Sequence, residues 1–291
     1  VRWLVVALSA CGFRHGEPAQ LGDGAGTGSD SRSGSGSDAS TADTDGDGIP
    51  DSSDNCPTIP NPLQHDWDHD GRGDECDLCP HIASAEDPDS DGDGVGDACD
   101  PRPGVTDHRL YFLGFYDQTD ITGWRNYANL GTWTVENGVL DETAAAAILI
   151  LDAPTATDDV YFATRMEVTS SLNTTAAEIG FCGGDISQGH QYYCCSINGT
   201  GVRATSAWEV IPASGGQLSD QHAWPGTLTV GSQIDVTGTM TASQSQCTFA
   251  QGAATATAAT ARGTPTPGAP CFYTQSNALG RWLYVFVVRL G

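Results

Sequence analysis

Between Asp43 and Asp100 the chain spells one acidic pattern three times, D-x-D-x-D-G-x-x-D-x-x-D, starting at Asp43, Asp66 and Asp89 with a period of 23 residues. Two pairs of cysteines, Cys56 with Cys79 and Cys76 with Cys99, keep the same period. Twelve-residue loops with oxygen ligands at positions 1, 3, 5, 7, 9 and 12, and a glycine at position 6 for the sharp turn, are calcium loops. The first would use Asp43, Asp45, Asp47, the Ile49 carbonyl, Asp51 (directly or through water) and Asp54, turning at Gly48. The second would use Asp66, Asp68, Asp70, the Arg72 carbonyl, Asp74 and Asp77, and the third Asp89, Asp91, Asp93, the Val95 carbonyl, Asp97 and Asp100. Such a set suits a large, hard cation such as Ca2+; magnesium prefers a tighter octahedron and keeps its waters, and zinc prefers Cys and His.

The segment holds 18 acidic residues against one arginine, Arg72. Two carboxylates ~4 Å apart repel by about 4 kcal/mol at an effective dielectric near 20, so the array should be loose without its cation. A disordered acidic linker has no reason to keep glycines and cysteines in register. Helical calcium hands of the EF or dockerin kind are excluded, because Pro57, Pro60 and Pro62 interrupt the connection between loops.

Asp54-Asn-Cys-Pro, Asn61-Pro-x-Gln, Gly73-Asp-Glu-Cys-Asp-x-Cys-Pro and Gly96-Asp-Ala-Cys-Asp-x-x-Pro resemble the thrombospondin type 3 repeat over residues 43–103. The resemblance implies bridges Cys56–Cys76 and Cys79–Cys99, and a chain wrapped around calcium with almost no regular secondary structure. The Asn-Pro-x-Gln element does not recur after Cys79. Lacking apolar residues for a core of its own, the segment should be held by calcium and by two bridges worth roughly 3 kcal/mol each. The region after residue 105 is then expected to fold on its own core, independently of the spacer.

At the N-terminus, Leu8-Ser9-Ala10-Cys11 resembles the lipobox of bacterial lipoproteins, after a short apolar run with only Arg2 ahead of it. This implies removal of residues 1–10, acylation of Cys11 and anchoring to a membrane of the bacterial envelope, at the outer membrane or cell surface. Residues 11–42, rich in Gly, Ser and Asp, read as a flexible tether. Ten cysteines in paired spacing point to an oxidising, extracytoplasmic setting. A chain without lysine and with net charge −25 is a poor partner for nucleic acid.

Residues 105–291 read as one β-sandwich: strand-like runs at 109–116, 132–135, 147–151, 160–168, 179–182, 192–197, 227–230, 234–241 and 282–290 are bounded by Gly, Asn, Asp or Pro. The last run is apolar on both faces and should be a central strand. Phe115-Tyr-Asp-x-Thr-Asp-x-x-Gly-Trp124 and Gly131-x-Trp133-x-Val135-x-x-Gly138-x-Leu140 resemble the opening of concanavalin A-like jelly rolls, implying recognition of glycans or matrix polymers. Trp124, Trp133, Tyr192, Tyr193, Trp208 and Trp224 are candidates for a sugar-stacking platform, with core packing as the alternative role. No Glu-x-Asp-x-Glu strand of the glucanase kind is present. His65 and His69 flank Asp66 and Asp68 without a helix to bring them together, which leaves a transition-metal site there without support. Among the other cysteines, Cys182–Cys194 should bridge a hairpin and Cys247–Cys271 a Pro/Thr/Ala-rich excursion, leaving Cys195 as a buried free thiol. The sequence thus predicts a mainly β, calcium-binding surface lipoprotein, not an enzyme, that adheres to a glycan or a protein partner. A polysaccharide-acting enzyme and a purely structural spacer are the alternatives.

Overall fold

The computed structural model of the chain describes residues 42–126, 132–142, 148–150, 159–172, 178–184, 192–199, 201–207, 217–241, 243–261, 269–275 and 278–291. The tether, Cys11, Trp208 and the Ala144–Ala147 run lie outside them, as do the side chains of Tyr192 and Tyr193.

Residues 42–107 contain turns and bends but no helix or strand. The remainder is built from strands β1 (His108–Leu113), β2 (Arg125–Asn126), β3 (Trp133–Glu136), β4 (Val139–Glu142), β5 (Ile148–Ile150), β6 (Val160–Val168), β7 (Glu178–Gly184) and β8 (Tyr192–Asn198). They are followed by β9 (Gly201–Ala207), β10 (Gln217–His222), β11 (Gln233–Met240), β12 (Gln244–Gln251), β13 (Ala254–Ala261), β14 (Ala269–Gln275) and β15 (Gly280–Arg289). One sheet runs β13-β12-β11-β6-β15-β4-β3, with β1 also on β15, and the other runs β10-β9-β8-β7-β14-β5-β2. The result is a jelly-roll β-sandwich. β15 is central, between β6 on one side and β4 and β1 on the other.

Two expectations about strands need correction. Residues 227–230 belong to the connection from β10 to β11, where Leu228 packs on the core and Val230 is exposed. Strands β12 and β13 lack the Val, Ile and aromatic enrichment that marks a strand. β12 still buries Ser245, Cys247 and Phe249 on alternating positions, so pairing and burial override its composition.

Alternation along the strands sends Phe162, Met166, Ile234, Val236, Phe249, Trp282, Val285 and Val287 of one sheet against Cys195, Ile197, Val202 and Phe272 of the other. Within this core Trp282 lies 5.4 Å from Trp133 and 5.1 Å from Phe272, ring centroid to centroid, and Trp124 stacks on Phe272 at 5.7 Å. Trp133 is buried, and Trp124 and Trp224 are half-buried against the same cluster. Trp133 is therefore a core residue, not part of a sugar-stacking platform.

The cysteines also differ from expectation. Cys195 on β8 is bonded to Cys247 on β12, which replaces both the free Cys195 thiol and the Cys247–Cys271 bridge. Both residues point inward from opposite sheets, a relation that depends on sheet packing and not on distance along the chain. Closing 52 residues, this bridge is worth roughly 4 kcal/mol in the chain-entropy account. Cys194, Cys182 and Cys271 occupy one register row across β8, β7 and β14, and their side chains lie outside the described residues.

The acidic segment packs on the outer face of the β15 sheet. Cys79, Val95 and Cys99 share a cluster with Ala163, Tyr284, Phe286 and Val288, joined by Trp67, Phe112, Tyr161 and Leu283. The Trp67 ring meets Tyr284 edge-on at 4.7 Å, and its indole N–H donates to the Leu283 carbonyl at 3.0 Å. His81 lies 4.7 Å from Phe286 and 4.9 Å from Tyr284, and burial pushes its imidazole pKa down to about 3, so it packs as a neutral ring. Arg109 on β1 donates to the Asp77 and Glu75 carbonyls. The sandwich thus shares an apolar interface with its spacer, which the sequence did not announce: β15 is apolar on both faces because the repeats cover its outer one.

Trp67→Ala should accordingly lower the stability of the sandwich by about 3 kcal/mol, the low end for truncating a packed aromatic side chain, since Trp67 is half-buried. In calcium, thermal unfolding should show one transition for repeats and sandwich. Two separated transitions, or an unchanged midpoint in the variant, would overturn the shared core.

Candidate metal centre

The three loops repeat most of their folding contacts with the 23-residue period. Position 1 folds each loop: Asp43 accepts from the Gly46 and Gly48 amides, Asp66 from His69 and Gly71, and Asp89 from Gly92 and Gly94. The turn at position 6 needs φ of 100°, 97° and 88° at Gly48, Gly71 and Gly94, a left-handed region that favours glycine. His69, placed at position 4 of the second loop, adopts φ 63° where the other loops have Gly46 and Gly92. His65 stacks on Tyr116 at 3.6 Å, so each histidine has a structural place in or beside the loop.

Folding the loop this way gathers the carboxylates of positions 1, 3 and 5. Asp43, Asp45 and Asp47 bring one oxygen each within 4.8 Å of one another, as do Asp66, Asp68 and Asp70, and Asp89, Asp91 and Asp93. At position 12, Asp54, Asp77 and Asp100 each accept from the amide two residues on, at 2.7 Å. Buried Oδ2 atoms of Asp45, Asp54 and Asp68 have no hydrogen-bond partner. All three belong to the ligand sets expected from sequence. A carboxylate oxygen taken out of water without a partner is costly, and a cation at the triad would satisfy it. The residues therefore fit calcium: hard oxygen donors, several per site, on a loop closed by its own backbone.

At position 7, the amides of Ile49, Arg72 and Val95 each donate to the position 5 carboxylate at 2.8 Å. Position 9 also closes the loop. Asp51 accepts from the Thr44 amide and hydroxyl at 2.7 and 2.8 Å, and Asp97 from the Ser90 amide and hydroxyl at 2.8 and 2.6 Å. Both oxygens of Asp51 and Asp97 are thus held by position 2 of their own loop and stand outside the triads.

The second loop has tryptophan at position 2, which offers no hydroxyl. The Trp67 amide still donates to Asp74 at 2.9 Å, but the second bond comes from the phenol of Tyr116, at 2.7 Å. The sandwich therefore completes this loop, and the indole freed from that task docks in the sandwich.

Between loops the period is kept by polar contacts. The position 5 carboxylates Asp47, Asp70 and Asp93 accept from the amides of Asn61, Ser84 and Asp107, each 14 residues on. The Asn55 amide donates to Gln64 at 2.9 Å; one period later the Leu78 amide donates to Asp87 at 2.7 Å. Asp87 thus replaces the glutamine of the missing Asn-Pro-x-Gln element. Bridges Cys56–Cys76 and Cys79–Cys99, with Cα separations of 5.7 and 5.6 Å, close on Gly73 and Gly96. A Cβ on Gly73 would lie 2.7 Å from Cys56 Sγ, and one on Gly96 2.8 Å from Cys79 Sγ. The third period has Arg102 where the earlier ones have Cys56 and Cys79, and its guanidinium pairs with Asp107.

Residues 30–64, 63–87 and 88–101 match the thrombospondin type 3 repeat, so the acidic segment is a run of such repeats. No curated protein matches the chain. Among solved structures, the CBM2 module of the evolved Dit of Lactobacillus casei BL23 phage J-1 is similar over 63% of this chain and 96% of its own, with 13% identity and a TM-score of 0.44. Peanut lectin is similar over 61% of this chain and 95% of its own, with 9% identity and a TM-score of 0.46. The GH43 BlXynB protein from Bacillus licheniformis covers 61% of this chain with 39% of its own, at 10% identity and a TM-score of 0.46. These likenesses concern strand arrangement and decide nothing about activity.

Tyr116→Phe should weaken calcium binding at the second loop by at least about tenfold, the lower value of one hydrogen bond to a charged group, and leave the other two loops unchanged. Adding Trp67→Ser should restore the affinity by supplying the hydroxyl in cis, while losing the docking contact; calorimetry of both variants checks this. Affinity equal to the parent in Tyr116→Phe would sink the idea.

Burial, reinforced by nearby carboxylates, pushes Asp68 up to about 6 and Asp77 up to about 7. A carboxyl raised in the folded state favours folding while protonated, and that stability is lost as pH rises through the folded value. In chelator, the midpoint of unfolding should therefore fall between about pH 4 and pH 7, from the ordinary carboxylate value to the folded ones. With calcium, which binds the deprotonated form, the fall should vanish. A pH profile identical with and without calcium would contradict this assignment.

Proposed function

We propose that the chain is a calcium-loaded binding protein of the bacterial envelope. In this reading Cys11 carries the lipid anchor, residues 11–42 are the tether, and the repeats form a stiff stalk whose second loop braces the sandwich. The sandwich faces outward and binds a glycan or a protein partner. The observation that carries the reading is the set of three carboxylate triads, with orphaned oxygens in the first two loops, fused to a sandwich through Trp67 and Tyr116. A metal-ordered stalk suits the millimolar calcium range of extracellular modules, and the disulfides suit an oxidising setting.

The reading is of a binder, not an enzyme. Glu142 is buried and accepts from Thr274, Asp235 pairs with Arg165, and Arg281 pairs with Asp141 and reaches Glu167. These carboxylates are occupied in holding strands together. Among the described residues no helix is long and apolar enough to cross a membrane, so in this reading attachment rests on Cys11.

Calorimetry should detect at least three calcium ions per chain with Kd of about 10⁻⁴–10⁻³ M, and no heat up to about 10 mM would overturn the calcium reading. A glycan array run in calcium and again in chelator tests the ligand: retention that depends on calcium supports a glycan-binding sandwich. An array with no binder turns the reading toward a protein partner or a plain spacer.

A further inference from the structure

Strand β1 pairs with β15 on one side, and among the described residues no strand pairs with its other edge. Along that edge runs a groove of about 550 Å3, which touches every residue from Arg109 to Gly114 in turn. Successive side chains of a strand point to opposite faces, so a cavity that meets consecutive residues follows the backbone edge and not one face. The far wall comes from the repeats, through Ile59, His65, Asp74 and Glu75. An open edge is a row of unpaired N–H and C=O groups, which natural proteins cover or blunt. Here it is walled on one side and left accessible.

The wall is acidic. Asp74 and Asp120 line the groove, and Glu75 forms no ion pair of its own among the described residues. Arg109, the one arginine in the lining, directs its guanidinium to the Asp77 and Glu75 carbonyls. Ile59, 42% exposed, adds an apolar contact. We propose that this groove binds an extended, basic peptide segment of a partner protein, added as a further strand on β1, with lysine or arginine side chains toward Glu75 and an apolar residue at Ile59. Backbone pairing would supply affinity and the wall would supply selectivity. A second copy of the chain is the poorer occupant, because each copy carries net charge −25. The proposal does not depend on a glycan site, so a silent glycan array leaves it standing.

The test is fluorescence anisotropy on the full chain in calcium, using a labelled peptide of about eight alternating lysines and valines, long enough to run the length of β1. We expect saturable binding with Kd of about 10–100 μM, weakened at least about tenfold when alternate amides are N-methylated, since those bonds are then lost. Replacing the lysines with glutamate should abolish binding, and Glu75→Lys should weaken it about fivefold while calcium binding, measured in parallel, stays unchanged. Equal binding of the N-methylated peptide, or no saturation by about 1 mM, overturns the proposal. So does self-association of the chain, by sedimentation, that blocks the peptide.

Discussion

The contact on which the architecture turns is the exchange between the second acidic loop and the β15 sheet: Trp67 goes into the sheet, and Tyr116 comes back to Asp74. Each half explains the other. Position 2 of an acidic loop normally spends its hydroxyl on position 9, as Thr44 and Ser90 do, and a tryptophan there would leave an oxygen of Asp74 unsatisfied. Tyr116 removes that cost, and the indole then adds apolar contact that the repeats cannot generate among themselves. A segment with almost no core of its own thereby borrows one, and the sandwich gains cover for strands that would otherwise expose Tyr284, Phe286 and Val288.

The carboxylate triads of positions 1, 3 and 5 were legible because a calcium loop imposes a fixed spacing, and the bridges Cys56–Cys76 and Cys79–Cys99 followed from the repeat they resemble. Legibility ended where a contact crossed between elements distant in the chain. The double-faced apolarity of β15 was visible and correctly marked a central strand, yet it also signalled a second covering layer. In an antiparallel sandwich the outer face is ordinarily polar, so an apolar outer face asks what lies on it. Trp67, a large aromatic inside an acidic loop, was the matching half of that signal. Cys195 and Cys247 were harder: they meet through the packing of two sheets, and nothing local to either strand marks the other as its partner.

The aromatic residues illustrate the same limit from another side. Trp133 has the composition of a sugar platform and the position of a core residue, and only its place beneath Trp282 separates the two. Position 9 of the loops is a similar case, since Asp51 and Asp97 have ligand chemistry but spend both oxygens on closing the loop.

The run of repeats is locked where it meets the sandwich. In the third period Asp107 stands where Asn61 and Ser84 stand earlier, and its carboxylate takes Arg102 and the Gly291 amide, tying the exit of the stalk to the last residue of the chain. No further period could be inserted there without breaking that lock. Among the described residues no such lock ties the Asp43 end to the sandwich, so whole units of 23 residues could be gained or lost at that side without disturbing the seat of the second loop. The reach of the stalk can therefore drift in fixed increments over evolutionary time while the head stays the same, a growing rule with its zero mark set at the sandwich.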